Sequence, residues 1–162
     1  VLDQKPHLFA TTVKNNIRIG RPDATDEEII EAATKAQLRP LIESLPKGLD
    51  TQMHEMGSRF SGGERQRVAF ARVLLQNTPI ILIDEATVGL DPNTERSLIE
   101  TILEAATDKT IIWVTHHLAG LETMDEIIFL NDGKITMQGN HNDLWTHNKT
   151  YQRLYEMDRG LT

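Results

Sequence analysis

Ile80-Ile81-Leu82-Ile83-Asp84-Glu85 is the stretch on which the reading of this chain turns. A short, continuous apolar run that ends on two carboxylates predicts a parallel strand buried on both faces. Downstream, Asp91-Pro92 supplies an N-cap and a proline for the first helical position, so a helix is expected to about Ala106. Thr110 to Thr115 then reads as a second buried strand. A strand, a crossover helix and a strand make one right-handed βαβ unit, which places the chain in the α/β class.

Working outward, the first half of the chain reads as helical. Residues 1–24 are expected to be irregular, with a short helix near Thr12 to Asn16. Thr25-Asp26-Glu27-Glu28 is a capping box and predicts a helix over 26–36. A second short helix precedes the breaker Leu45-Pro46-Lys47-Gly48, and residues 46–60 read as loop. Ser61-Gly62-Gly63-Glu64 is another capping box, opening a long helix to about Gln76 that Asn77-Thr78-Pro79 stops. Beyond the second strand, Glu126 to Leu130 and Lys134 to Gln138 flank Asn131-Asp132-Gly133, a hairpin signal. Amphipathic helices are expected over 141–157.

Composition bounds the function. The 162 residues carry 17 Lys+Arg against 24 Asp+Glu, a net charge of −7, which weighs against a nucleic-acid partner. An apolar fraction of 39% and a charged fraction of 25% are those of a globular domain, not of a disordered chain. No apolar run approaches the ~20 residues of a membrane helix. The absence of cysteine excludes disulfides, thiolate catalysis and thiolate metal sites within the chain. The opening Val1-Leu2-Asp3-Gln4, without Met and already in a strand-like pattern, leads us to expect a piece of a longer chain.

Three clusters could carry chemistry. Asp84 and Glu85 close a buried strand, where ligands bind in open α/β sheets. One acid there could hold Mg²⁺ and the other polarise water; the plain alternative is two loop acids capping the next element. His116 is expected to end the next strand at the same sheet edge, to donate to phosphate or orient water; the alternative is a packed or solvated histidine. His117 is read as structural. Phe60-Ser61-Gly62-Gly63-Glu64-Arg65-Gln66-Arg67 opens a helix whose exposed amides and dipole favour an anion. Helix capping and phosphate contact are compatible there, and close approach of a ligand would explain the two glycines. Arg65 and Arg67 read as a solvated or subunit-facing stripe. A phosphate loop, Gly-x-x-x-x-Gly-Lys-Ser/Thr, does not occur in these 162 residues.

Together these residues resemble the ATP-binding domain of ABC transporters. Phe60 to Arg67 resembles the family signature, with Phe60 and Glu64 in place of its commoner Leu and Gln. Ile80 to Glu85 resembles the Walker B strand with its adjacent Glu, Gly89-Leu90-Asp91 the D-loop, Thr115-His116 the switch histidine, and Leu2-Asp3-Gln4 the Q-loop. Leu45 to Thr51, followed by Glu55 and Gly57, is similar to the segment before the signature in ABC exporters. Thr115 to Glu122 is similar to the thiol-exporting subfamily used in cytochrome bd assembly.

The resemblance implies a partial P-loop NTPase-like core with parallel strands, crossover helices and a terminal hairpin, joined to an ABC-type helical subdomain. In the family the Walker A half precedes the Q-loop, so residues 1–162 are expected to be the C-terminal part of one ATPase domain. The helical subdomain would span 5–75 and the second half of the catalytic core 76–162. It further implies ATP hydrolysis with Mg²⁺ at the interface of two head-to-tail domains, identical or not, fused to the membrane helices of an exporter. The site would lie on the cytoplasmic face of the plasma (inner) membrane. Asp84 would serve the metal, Glu85 the water and His116 the γ-phosphate. Gln4 would link metal and water to the membrane helices, and Ser61, Gly62, Gly63 and Asp91 would meet nucleotide. Without the missing N-terminal Walker A segment the isolated chain is expected to be inactive. A non-transport ABC ATPase of DNA repair or chromosome structure is the rival; the compact span between Gln4 and Phe60 and the acidic charge weigh against it.

Overall fold

The helix starts expected from the capping boxes are formed in the computed structural model, which describes residues 1–53, 60–118 and 120–158. Thr25 Oγ1 accepts from the Glu28 amide while the Glu28 carboxylate accepts from the Thr25 amide. Ser61 and Glu64 repeat the arrangement. The chain folds as two compact units, Val1–Val114 and Thr115–Thr162.

The first unit runs β1 (Leu2–Asp3), α1 (Val13–Arg18), α2 (Asp26–Lys35), α3 (Arg39–Ser44), α4 (Gly62–Gln76), β2 (Ile80–Asp84), α5 (Pro92–Ala105) and β3 (Thr110–Val114). The strands form a parallel sheet in the order β1-β2-β3. Residues 1–24 are therefore not wholly irregular: Leu2 and Asp3 pair with Ile83 and Asp84. Two residues are too short a run to show strand periodicity, and the neighbour β2 supplies the missing information. Glu55 and Gly57, as well as Ala119, lie outside the described residues.

Helix α4 is buried nearly all round, from Val68 through Leu75, and packs against α1, α2 and α5. Its residues share one core with Ile81 and Ile83 of β2 and with Leu98 and Ile102 of α5. A fully buried Leu or Ile contributes roughly 1.5–3 kcal/mol relative to exposure, so this cluster dominates the unit's stability. Asn16 and Arg72 bind backbone carbonyls around α1. Asn16 receives the Phe9 amide and donates to the carbonyls of Phe9 and Thr12, while Arg72 donates to the carbonyls of Asn16 and His7.

The sheet departs from the expected burial on both faces. Ile81 and Ile83 are 1% and 0% exposed, but Ile80, Ile112 and Val114 on the other face are 54%, 51% and 50% exposed. The cause is topological: the helices of both crossovers pack into the core on the Ile81 and Ile83 side. Strand β3 also ends at Val114, opposite Asp84, two residues short of His116.

The second unit contains the hairpin β4 (Ile127–Asn131) and β5 (Lys134–Gly139), then α6 (His141–His147) and α7 (Lys149–Asp158). Asp132 and Gly133 turn the hairpin with φ of +50° and +73°, as a two-residue turn of matching twist requires. Leu118, Ile127, Leu144, Tyr151 and Tyr155 form its core. The Tyr151 hydroxyl lies 2.8 Å from His141 Nδ1, and burial pushes its pKa up to about 12.

Two outcomes follow. The chain's only tyrosines, Tyr151 and Tyr155, are both in the second unit, so tyrosinate absorbance reports that unit alone. The folded pKa of Tyr151 lies above its unfolded value, so the stability it contributes is complete below about pH 10 and is lost as the pH climbs towards 12. Tyr151→Phe should flatten that alkaline loss in pH-dependent melts. The exposed sheet face should make the 162-residue chain self-associate in light scattering. Ile80→Lys with Ile112→Lys should suppress this while changing stability by no more than about 1 kcal/mol, whereas Ile81→Lys should unfold the unit.

Candidate functional site

The carboxyl end of the sheet gathers Gln4, Asp84 and Glu85. Leu2↔Ile83 and Asp3↔Asp84 are register partners, so Gln4 leaves β1 where Asp84 ends β2. Asp3 and Asp84 share the uncovered face, and both are exposed. Two carboxylates side by side repel, and a divalent cation would relieve this. Hard oxygen donors from one or two side chains suit Mg²⁺, which keeps waters and takes further oxygens from phosphate. Asp84 and Gln4 fit that description.

Glu85 adopts φ of +50°, a left-handed conformation that a non-glycine residue rarely takes. Its amide donates to the Val114 carbonyl at 2.9 Å, and its carbonyl accepts from Val88 at 3.1 Å. These bonds hold the turn that lifts Glu85 out of the strand while Ala86 and Thr87 stay buried behind it. Backbone strain of this kind clusters at functional sites. Nothing in the run Ile80 to Glu85 signals it, because the strain arises from the β2–β3 pairing.

Ser61 caps α4, and Gly62 and Gly63 form its first turn. A Cβ on Gly62 would come within 2.9 Å of Leu90 Cδ2, and one on Gly63 within 2.4 Å of Thr94 Cγ2. Ligand approach was the expected reason for the glycines. The structure supplies an internal one: α4 begins hard against the corner that leads into α5. Asp91 at that corner accepts from the amides of Asn93 and Thr94, both at 3.1 Å. Hydrogen bonding from Thr94, side chain and backbone, holds the Asp91 carboxyl below its ordinary range. Its carboxylate thus serves first as a helix cap.

Between the two helix starts lies an open cleft of about 350 Å³, lined by Ser61, Gly63, Glu64, Arg67, Asn93 and Thr94 among others. Arg67 is not a solvated stripe. It is partly buried and donates to Thr101 Oγ1 at 2.8 Å, Ser97 Oγ at 2.9 Å and the Ala36 carbonyl at 3.3 Å. Arg65 turns back to the Phe60 carbonyl at 2.7 Å. Sequence alone gives no reason to separate these two arginines; the partners of Arg67 lie on α5 and beyond α2.

His116 belongs to the second unit, where it is exposed beside the ring of His117 at 4.5 Å. The Nδ1 of His117 lies 3.9 Å from Asp158, which also accepts from the Leu118 amide. One residue of the Phe60 to Arg67 run received no role from the sequence. Gln66 is buried in α4 and donates to the carbonyls of both Asp3 and Gln4.

The chain is similar to known proteins. The family model described as ABC transporter matches residues 1–88. The glutathione/L-cysteine transport system ATP-binding/permease protein CydD of Bacillus subtilis (strain 168) is 57% identical over 98% of this chain and 28% of its own length. The mitochondrial iron-sulfur clusters transporter ATM1 of Kluyveromyces lactis is 44% identical over 99% of this chain and 23% of its own. Among solved structures, a bacterial Atm1-family ABC exporter with ATP bound matches with a TM-score of 0.86 and 38% identity, over 96% of this chain and 27% of that one. The chain spans about a quarter of the length of these relatives.

The glycine pair gives a direct stability test. Gly63→Ala should destabilise the first unit by about 1–3 kcal/mol, because Thr94 must move with α5. Gly62→Ala should be milder, since only the end of a leucine side chain stands in the way. Ser61→Ala should lose about 1 kcal/mol of capping. Thermal melts of the three variants check the order.

Proposed function

Because this chain belongs to the ABC transporter family, we propose that it is the C-terminal part of an ATP-hydrolysing domain that drives an exporter. The observation that carries this reading is the sheet end. Gln4 and Asp84 leave adjacent strands side by side, and Glu85 is turned out of line by a left-handed backbone. Residues 5–75 would form the helical subdomain and 76–162 the second part of the catalytic core.

Asp84 and Gln4 are the residues that would hold Mg²⁺, which when bound neutralises charge developing on the phosphates. Glu85 accepts a proton from the attacking water and aligns it. In-line phosphoryl transfer depends on such positioning and on charge, so a fixed backbone at Glu85 is useful in itself. His116 donates to the γ-phosphate. Ser61, Gly62 and Gly63 present the start of α4, and Asp91 the neighbouring corner, to nucleotide held by a second ATPase domain. The transmembrane part of the exporter and a Walker A segment complete the machine at the cytoplasmic face of the membrane. The similarity to a glutathione/L-cysteine transport protein supports export of small thiols as the coupled task.

Glu85→Gln tests the reading in the intact transporter. Turnover should fall at least about 100-fold with ATP binding preserved, since the amide keeps the shape and loses the base. Glu85→Gly should abolish turnover equally, yet leave stability within about 1 kcal/mol, because glycine accepts the left-handed backbone without strain. Native turnover in Glu85→Gln would remove Glu85 from this role.

A further inference from the structure

Gln66 is a side chain that packing alone does not explain. It lies on α4, five positions beyond the cap Ser61, and is 3% exposed. Its Nε2 donates to the Asp3 carbonyl at 3.1 Å and to the Gln4 carbonyl at 2.7 Å. Two carbonyl oxygens so close fix the amide orientation, because the opposite flip would set oxygen against oxygen. The consequence is a bare Oε1, buried with no hydrogen-bond partner among the described residues. An unsatisfied buried amide oxygen is unfavourable, and a methionine would fill the same space without it. What methionine would lack is the pair of donated bonds.

Those bonds fall where position matters most. The two carbonyls belong to the last residue of β1 and the first beyond it, next to Asp84 across the register. Holding two successive carbonyls fixes the peptide plane between them, and with it the direction in which Gln4 leaves its backbone. Gln66 shares a continuous helix with Ser61, Gly62 and Gly63, so any shift of the α4 start reaches the Gln4 carbonyl directly.

We infer that Gln66 is a positioning residue, which sets Gln4 against the Asp84 edge and ties that setting to the α4 start. The inference rests on the proposed role of Gln4 in ATP turnover. In the intact transporter, Gln66→Met should lower kcat about tenfold with KM for ATP changed less than about twofold, as for a group that orients rather than binds. In a Gln4→Ala background the same substitution should add less than about a twofold further loss, because Gln66 acts through Gln4. Gln66→Glu lacks the donor when ionised and regains one as the buried acid. Its activity relative to native should therefore rise as the pH falls from about 8 to about 6.

Native kcat in Gln66→Met, or losses that multiply with Gln4→Ala, would overturn the inference. Should Gln66→Met not fold, a pH-independent loss in Gln66→Glu overturns it instead. Full turnover in Gln4→Ala would remove the proposed role of Gln4 and this inference with it. A defect in Gln4→Ala beside an unaffected Gln66→Met removes the inference alone.

Discussion

The first unit depends on where helix α4 is seated. Its first turn approaches the Leu90–Thr94 corner so closely that neither Gly62 nor Gly63 has room for a methyl group without movement. Side chains further along the helix reach outward in several directions. Gln66 takes the end of β1, Arg67 takes Ser97 and Thr101 on α5, and Arg72 takes His7 and Asn16 ahead of and within α1. One buried helix thereby fixes the segment after β1, the Leu90–Thr94 corner and the sheet relative to one another. Well-packed interiors transmit displacement because they are incompressible, so these segments are mechanically a single piece.

The polar character of that bracing is informative. Arg67 and Arg72 are partly buried, and desolvation lowers the pKa of both. Among the described residues, Arg67 donates to a carbonyl and two hydroxyls, and Arg72 to two carbonyls and an amide oxygen. Guanidinium is suited to this, with several donors in a fixed fork and weak hydration. Arginine here works as a directional fastener between elements that leucine would only have glued.

Much of the architecture was legible in the chain itself. Capping boxes at Thr25 and Ser61, Pro92 after Asp91, the stop after Gln76 and the Asp132-Gly133 turn are local devices, whose physics is complete within a few residues. Each forms as read. The apolar run at Ile80 identified a parallel strand but overstated its burial, because a run of isoleucines says which faces prefer cover and not which face this unit covers. Leu2-Asp3 has a strand-like pattern inside a segment read as irregular, and its partner β2 is what makes it a strand.

The sequence by itself determined which chemistry-bearing residues are present and in what order: Gln4, Ser61 to Gly63, Asp84, Glu85, Asp91 and His116. Short spacing patterns are enough for that, since each motif is a local arrangement of backbone and side chain. The tertiary structure alone decided the rest. It gave the glycine pair a packing reason in Leu90 and Thr94, turned Arg67 inward, and set Glu85 at φ of +50° through a bond to Val114. It also placed Gln66 on two carbonyls more than sixty residues away. Each of these rests on contacts between segments far apart in the chain, and no local propensity encodes them.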